Sequence, residues 1–241
     1  MRLIARLDWK TPFIIKPIYF DGLRKVGYAK DLINKYAALN IDEIALISVT
    51  SSLYKTKINP LLLSEFRECL RIPLSVGGNI QTHDEANLLI RSGADKVIIN
   101  TAGLLNTSLL KSISSELGSQ SVAVHIQAKK INNEYFALYE CARSNSGKNI
   151  RDWISALEDF GVGEVIISSV DHDGALSGPD YNLFEIAMQA STLPVILSSG
   201  ISTIQHIREV ASLGPSGIMI GRALHEGLLD MNLIKEEIAI V

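Results

Sequence analysis

Residues 72–101 read IPLSVGGNIQTHDEANLLIRSGADKVIINT, and the same plan returns about half a chain later, where residues 193–222 read LPVILSSGISTIQHIREVASLGPSGIMIGR. Each copy contains a β-rich run, a segment with apolar residues at helical spacing, and a second β-rich run. The copies align without a gap and indicate two similar half-domains. The matching pairs are Pro73 and Pro194, Ile80 and Ile201, Thr82 and Thr203, Gly93 and Gly214, and Ile99 and Ile220.

The alternation of strand-like and helix-like segments continues over the whole chain. Residues 42–51, DEIALISVTS, align at the same offset with residues 163–172, GEVIISSVDH. Because alternating strands and helices form a parallel sheet, two similar halves predict an α/β fold, a TIM (β/α)8 barrel with a half-barrel internal repeat, as one domain over residues 1–241. A doubly wound open sheet is the alternative, but its dinucleotide fingerprint is absent after the first strand. The predicted strands are Arg2–Asp8, Glu43–Val49, Leu74–Gly77, Lys96–Asn100, Val122–Gln127, Glu164–Val170, Val195–Ser199 and Gly217–Gly221.

Composition and charge exclude several classes of protein. The 241 residues are 47% hydrophobic and 20% charged, which predicts a folded globular domain. A net charge of −3 gives no electrostatic reason to expect nucleic acid or an acidic membrane as partner. The charged N-terminus argues against a signal peptide, and Cys69 and Cys141 have neither metal-ligand nor redox spacing. We expect a soluble, cytoplasmic protein with two free thiols.

The ends of the predicted strands carry residues suited to anion binding. In a parallel barrel the active site lies at the carboxyl ends of the strands, where glycines let the backbone approach an anion. The repeat places two such sets on opposite sides of one mouth and therefore predicts two phosphate sites, although glycines also serve ordinary turns. The first set is Gly77, Gly78, Asn100 and Thr101, and the second is Ser199, Gly200, Gly221 and Arg222.

The stretch SSVDHDGALSGPD, residues 168–180, follows the sixth strand. Asp171 and Asp173 either cap the turn or, beside a phosphate-binding glycine, act as an acid or base. The five histidines of the chain show no metal-ligand spacing, so we expect no metal and no cofactor.

Taken together, these motifs resemble the cyclase subunit of imidazole glycerol phosphate synthase and, more distantly, its isomerase relative in histidine biosynthesis. The resemblance covers nearly the whole chain. It rests on RLDWK (6–10) with the long segment after it, IPLSVGGNI (72–80), SGADKVIINTA (92–102), GSQSVAVHIQAKK (118–130), GVGEVIISSVDHDG (161–174) and the glycine-bearing ends of the last two strands.

The resemblance implies a glutaminase partner of the HisH kind on the N-terminal face of the barrel. Ammonia would then pass through the barrel to a nucleotide-like substrate with a phosphate at each end. Arg2, Glu43, Lys96 and Glu164 match the family's ring of charged residues that forms the ammonia gate. The alternative is a purely structural ion cluster, because buried charges need partners in either case.

At the other face, the resemblance assigns catalytic and binding roles. Asp8 matches one of two catalytic aspartates, and Lys16, in a segment expected to be a flexible loop, matches a lysine that serves turnover. One phosphate site corresponds to Gly78, Asn100 and Thr101. The other corresponds to Asp173, Gly174, Gly200 and Gly221.

Several residues near the expected reaction centre depart from the family pattern. Gln127 replaces the second catalytic aspartate, and an amide cannot take up a proton. Because general acid–base catalysis typically contributes ~10²–10⁴-fold, the lyase-type ring closure is in doubt. Arg6 shares a strand face with Asp8, which would hold that carboxylate ionised, and His125 shares a face with Gln127. The other departures are Ser48, Asn79 and Arg222.

Three functions remain open from the sequence. The favoured one is a barrel that relays ammonia from a glutaminase, diverged toward the amidation of N-acetyl sugars of surface polysaccharide. The second is an authentic cyclase that makes imidazole glycerol phosphate, and the third is a non-catalytic, phosphate-binding scaffold. Residues 129–148, KKINNEYFALYECARSNSGK, predict a small β excursion that either lies over the mouth and selects substrate or decorates the surface.

Overall fold

The computed structural model describes residues 1–240, so Val241 of the predicted domain lies outside the described residues. The strands are β1 (Arg2–Lys10), β2 (Phe13–Ile18), β3 (Asp21–Tyr28), β4 (Glu43–Ile47), β5 (Leu74–Gly77), β6 (Lys96–Ile99), β7 (Val122–Ile131), β8 (Glu134–Tyr139), β9 (Ser144–Asn149), β10 (Glu164–Ser169), β11 (Val195–Ser198) and β12 (Gly217–Ile220). The helices are α1 (Ala29–Ala38), α2 (Ser51–Tyr54), α3 (Pro60–Glu68), α4 (His83–Arg91), α5 (Thr101–Leu105), α6 (Thr107–Leu117), α7 (Ile150–Ala156), α8 (Tyr181–Ala190), α9 (Ile204–Ala211), α10 (Arg222–His225) and α11 (Met231–Ile240).

Eight parallel strands close into a barrel. The order is β1, β4, β5, β6, β7, β10, β11 and β12, and β12 pairs back onto β1. This closure confirms the TIM barrel and excludes the open sheet. Each of the eight predicted strands begins at the residue where the observed strand begins, because each start follows a turn and opens a buried β-branched run.

The internal repeat is visible in local geometry. Thr82 and Thr203 cap α4 and α9 in the same way, each accepting a hydrogen bond from the backbone N–H three residues ahead. Their backbone angles are also the same, φ −133° with ψ 158° and φ −133° with ψ 161°. Asn100 and Gly221, which the repeat aligns, share φ near −120° as well, with values of −125° and −113°. The two halves of the barrel are therefore built alike at the starts of α4 and α9 and at the starts of α5 and α10.

Two β-hairpins stand on the carboxyl-terminal side of the barrel. One is β2 with β3, which follows β1, and the other is β8 with β9, which follows β7. The second confirms the β excursion predicted for residues 129–148. The first corrects the flexible loop expected around Lys16, because its residues pair along β1 and around a two-residue turn at Tyr19 and Phe20.

The hairpins meet above the barrel. Phe20, at the tip of the first hairpin, is buried against Leu138 and Cys141 of the second and against Val170, which follows β10. The Tyr19 N–H also donates a hydrogen bond of 2.7 Å to the Asp173 carbonyl. These contacts hold the first hairpin over one side of the mouth.

The barrel interior contains an apolar layer between its two ends. A compact group of buried side chains is separate from the main core, which lies between the sheet and the outer helices. Its members include Ile4, Ala45, Ile98, Ala123, Ile166, Ile196 and Met219. Among residues 1–240, no helix is long and apolar enough to cross a membrane.

Candidate functional site

Four charged residues form a ring at the N-terminal end of the barrel, called here the lower ring. Arg2, Glu43, Lys96 and Glu164 are the first residues of β1, β4, β6 and β10, so the parallel strands bring them to one level. Arg2 Nη1 donates to Glu43 Oε2 at 2.6 Å, and both Arg2 and Lys96 are paired with Glu164. Lys96 Nζ also lies 3.9 Å from Glu43 Oε1. The predicted gate residues are therefore in direct contact, while their role as a gate stays a prediction.

The lower ring is only partly shielded from water. The side chain of Arg2 is 36% exposed and that of Lys96 is 15% exposed, whereas both carboxylates are buried. Burial lowers the pKa of Lys96, and the neighbouring Arg2 lowers it further, while Glu43 acts in the opposite direction. The Ser75 hydroxyl, inside the barrel, donates a hydrogen bond to Glu43.

A second cluster of two cations and two carboxylates lies at the opposite end of the lumen, called here the upper network. Arg6 and Asp8 alternate with outward-facing residues on β1, so both side chains point inward. Arg6 donates to Asp8 at 2.7 Å and to Asp173 at 3.0 Å. Lys16 donates to the other oxygens of the same carboxylates at 2.8 and 3.1 Å. All four side chains are buried.

The upper network fixes the charge of Asp8. Burial alone would raise the pKa of this carboxyl, but Arg6 and Lys16 more than offset it and hold the pKa at about 2. Burial disfavours the charged form of Arg6, yet Asp8 and Asp173 raise its pKa. A carboxyl with a pKa of about 2 is ionised at neutral pH, in line with the effect expected from Arg6, and such a group is a poor proton donor there.

Gln127 and His125 lie on the inward face of β7, as expected from their alternation. Gln127 is 5% exposed, and its Oε1 has no hydrogen-bond partner among the described residues. His125 Nε2 lies 2.8 Å from the Ser168 hydroxyl, and burial is the main cause that lowers its pKa to about 3. His125 is therefore neutral at pH 7, and neither residue supplies a proton there.

The loop at Gly78, called here the first glycine turn, borders an open cavity of about 130 Å³. Gly78 has φ +142°, and a Cβ there would lie 2.6 Å from the Cβ of Ser48, so only glycine fits. Asn100 and Thr101 begin α5 on the same side, with Thr101 Oγ1 donating to Asn100 Oδ1 at 3.1 Å. The predicted residues of the first phosphate site thus line one space, together with His125 and Gln127.

The loops at Gly174 and Gly221, called here together the second glycine turn, border a cavity of only about 20 Å³. Gly174 and Gly221 line it together with Arg222, but Gly200 does not, because it packs against the backbone of Gly178. Arg222 Nη1 donates to the Gly174 carbonyl at 2.6 Å, and its Nε donates to Glu226 at 2.6 Å. The structure therefore leaves much less space at this turn than at the first one.

The two aspartates after β10 have different environments. Asp173 enters the upper network, whereas the Asp171 carboxylate accepts a hydrogen bond from the Lys130 N–H at 3.1 Å. Ser168 was missed by the sequence analysis, whereas Ser199, predicted in the second set, lines the second site. Ser168 lies at the even spacing from Glu164 that marks the inward face of β10, and this period could have revealed it. In residues 1–240, no three His, Cys, Asp or Glu residues are grouped so that they could hold a metal.

Comparisons with known proteins agree with this architecture. A family model described as histidine biosynthesis protein matches residues 2–230. The imidazole glycerol phosphate synthase subunit HisF of Thermotoga sp. is 35% identical over 235 residues, which is 98% of this chain and 93% of that protein. The HisF subunit of Pyrococcus furiosus is 36% identical, covering 94% of this chain and 90% of its own. That of Legionella pneumophila is 36% identical, covering 85% and 97%.

Proposed function

The chain belongs to the histidine biosynthesis protein family, among the HisF-like cyclase subunits of imidazole glycerol phosphate synthase, and from this premise we propose that it is a glutaminase-coupled ammonia relay with weakened ring-closing chemistry. The glutaminase, a HisH-like subunit, binds the N-terminal face of the barrel. The ammonia is consumed by a separate synthetase that amidates N-acetyl sugars of surface polysaccharide, as the resemblance implies for divergent relatives.

The upper network is the observation that carries this proposal. Ring closure needs proton transfers, and the two positions expected to perform them hold Asp8, with a pKa of about 2, and the amide of Gln127. His125 is neutral and has a pKa of about 3, so it does not replace the missing acid. Without a cooperating acid and base, the rate falls by about 10²–10⁴-fold.

The lower ring supports the entry of ammonia. The members of the ring are joined by direct ion pairs across the N-terminal end of the lumen, and the apolar layer lies above them. An apolar layer passes neutral ammonia but opposes ammonium, because an unpaired charge is costly to bury. Arg2 is the most exposed member of the ring and is the group that a docked partner would contact first.

The open cavity supports an exit on one side of the mouth. Ile98 belongs to the apolar layer and also lines the cavity of about 130 Å³ beside the first glycine turn. On the other side, the upper network occupies the lumen. A small neutral molecule that crosses the apolar layer therefore leaves past His125 and Gln127.

A second candidate function is the authentic cyclase, a lyase of histidine biosynthesis. The retention of Asp8, and of Lys16 beside the second glycine turn, favours it. This function needs a ligand with a phosphate at each end, which remains a prediction; the described residues leave about 130 Å³ at the first turn and about 20 Å³ at the second. The third alternative, a non-catalytic phosphate-binding scaffold, predicts that neither the glutaminase nor the lower ring affects any activity.

Two assays on the full chain separate these functions. In the first, the nucleotide substrate of the family cyclase is supplied with ammonium salt, and the relay predicts slight or absent turnover, in wild type and in Gln127→Asp, because Arg6 still pairs with Asp8. In the second, a glutaminase from the native host co-purifies with the chain and is activated by it. Near-normal turnover supports the cyclase instead. If there is neither turnover nor co-purification of a glutaminase, the results support the scaffold.

A pair of lysine variants tests the path of ammonia. Lys96→Met removes a cation from the lower ring, and we expect it to change the transfer of glutamine-derived ammonia while the glutaminase still binds. Lys30→Met, on the exposed side of α1, is the matched control and leaves transfer unchanged. Equal transfer in both variants would contradict the relay.

A further inference from the structure

A third cavity, of about 410 Å³, lies beside the turn that joins β1 to β2. Its walls come from residues 9–11 at that turn and from residues 48–58, a segment that contains α2. It shares only Ser48 with the cavity at the first glycine turn, and it contains no member of the upper network or the lower ring. Its volume falls within the range of about 300–1,000 Å³ that is usual for small-molecule sites. It is therefore a candidate binding site distinct from the two glycine turns.

The polar lining of this cavity consists mainly of hydroxyl groups. Four side chains supply them, namely Thr11, Ser48, Thr50 and Thr56. Ser48 and Thr56 accept hydrogen bonds from other residues through their backbone carbonyls, which leaves their hydroxyls available. Thr50 is 7% exposed and therefore places its hydroxyl in a sheltered part of the cavity. Hydroxyls both donate and accept, so this lining suits a ligand that carries several hydroxyls of its own.

The cavity also contains one unpaired cation. Of its two lysines, Lys57 is occupied, because its Nζ donates to Glu85 Oε2 at 2.8 Å and to the Asn79 carbonyl at 2.9 Å. Lys10 forms no ion pair within residues 1–240, and its Nζ lies 5.7 Å from the centre of the Tyr54 ring. An ammonium group beside an aromatic ring keeps donors free for an anion. The lining thus offers one positive charge that the protein does not neutralise.

Two aromatic side chains complete the walls. Trp9 is 1% exposed and packs edge-on against Phe66, with ring centres 5.6 Å apart, while another part of it lines the cavity. Its indole N–H has no acceptor among the described residues, and a buried donor without an acceptor is unfavourable. Tyr54, contributed by α2, is 57% exposed at the rim. Aromatic surface with a few polar groups is the usual composition of a small-molecule site.

We propose that this cavity binds a polyhydroxylated carboxylic acid, of the class of sugar acids. Lys10 pairs with the carboxylate, the hydroxyls of the lining exchange hydrogen bonds with those of the ligand, and Trp9 packs against its carbon skeleton. A carboxylate fits better than a phosphate, because one free cation matches one negative charge and no glycine lines the cavity to let the backbone approach a dianion. The inference does not depend on the ammonia relay, which makes no use of this cavity.

Tryptophan fluorescence of the full chain tests the inference. The chain has two tryptophans, of which Trp9 lines the cavity, whereas Trp153, on α7, packs against Phe160. In Trp153→Phe, titration with D-glucuronate should therefore give a saturable change in the emission of Trp9, with a Kd of about 1 mM or tighter. The neutral probe D-glucose should bind at least about tenfold more weakly. Calorimetric titration of wild type with the same two probes measures binding without relying on either tryptophan.

Three variants locate the binding site. Lys10→Met should weaken binding of D-glucuronate by about tenfold or more, because it removes the unpaired cation, and should leave D-glucose unchanged. Lys30→Met, on the exposed side of α1, is the matched control and should bind both probes as wild type does. Thr50→Val keeps the shape of the side chain but removes a hydroxyl, so both probes should bind several-fold more weakly.

Three results overturn the inference. The first is wild type that binds D-glucuronate neither by fluorescence nor by calorimetry. The second is equal affinity for D-glucuronate in Lys10→Met and Lys30→Met, which would place the ligand elsewhere. The third is glucose 6-phosphate that binds about tenfold tighter than D-glucuronate, which would contradict the carboxylate. No ammonia or glutaminase enters these titrations, so their failure leaves the relay intact, and failure of the relay leaves the titrations interpretable.

Discussion

The lumen of this barrel holds two clusters with the same numbers of positive and negative charges at opposite ends, and their surroundings differ. The lower ring and the upper network each join two cations to two carboxylates. The cations of the lower ring reach solvent, whereas Arg6 and Lys16 of the upper network are buried under the first hairpin. The ion pairs of the lower ring can therefore exchange with water, whereas those of the upper network are held in place by burial.

Depth explains the difference through desolvation. A partly exposed ion pair can exchange its partner for water at a cost of about 0–1 kcal/mol. Breaking a fully buried pair leaves an uncompensated charge and costs about 3–5 kcal/mol. A gate requires the first situation. An Asp8 that is ionised at neutral pH, and is therefore a poor acid there, follows from the second.

The comparison predicts its largest effect on stability. Arg6→Ala removes a cation shared by Asp8 and Asp173 and leaves two buried carboxylates with Lys16 alone. We expect the free energy of unfolding to fall by about 3–5 kcal/mol in urea denaturation. Arg2→Ala is the matched variant in the lower ring and should cost less, because Arg2 is 36% exposed and water can reach the carboxylates that it leaves. Equal losses in the two variants would show that the ends of the lumen do not differ.

A smaller effect is expected in acid. The folded pKa of Asp8 is about 2, below its ordinary value of 3.8, so the carboxylate stabilises the fold above pH 4. This contribution, about 2 kcal/mol, is lost as the pH falls from about 4 to 2. Thermal unfolding across this range measures it, and Asp8→Asn should flatten that part of the profile. An unchanged profile in Asp8→Asn would contradict the shift.

Opening of the lower ring should follow from Glu164→Gln. Glu164 pairs with both Arg2 and Lys96, and the amide keeps the shape while removing the charge that holds them. We expect several-fold more of the glutaminase's ammonia to appear in bulk solution, measured by a coupled ammonia assay. Glu65→Gln on exposed α3 is the control. If Glu164→Gln releases no more ammonia into bulk solution than wild type does, the lower ring is a structural ion cluster.

The smallest expected effects come from two hydroxyls that support the clusters. Ser75 donates to Glu43 in the lower ring, and Ser199 donates to Asp173 in the upper network at 3.4 Å. Ser75→Ala should lower the free energy of unfolding by about 1 kcal/mol, a typical value for one hydrogen bond. Ser199→Ala should cost less because its bond is long. A reversed order in urea denaturation would show that burial of the network, rather than bond length, sets the cost.

Much of the fold was predictable because it depends on local patterns. The start of every barrel strand, such as Glu43 and Glu164, follows from hydrophobic runs between turns, and the repeat identified closure of the barrel. The prediction of a flexible loop was wrong for the first hairpin. Pro17 and two left-handed residues, Tyr19 and Phe20, interrupt the alternation that would have indicated strands there. Its pairing depends on β1, which a local pattern does not show.

The site was predictable only in part. Alternation along β1 and β7 correctly turned Arg6 and His125 inward. The pairing of Lys16 with Asp173 was not predicted, because it joins residues far apart in sequence through a hairpin that was expected to be mobile. The bond from Arg222 to the Gly174 carbonyl was also missed. The size of the cavity beside it depends on side-chain conformations, which residue types alone do not give.

We propose that the locked upper network removes ring-closing chemistry from a barrel that still conducts ammonia. Turnover of the family's nucleotide substrate by the purified chain, with ammonium salt in place of the glutaminase, tests this proposal. We expect slight or absent turnover, in wild type and in Gln127→Asp alike. Near-normal turnover by wild type would contradict it.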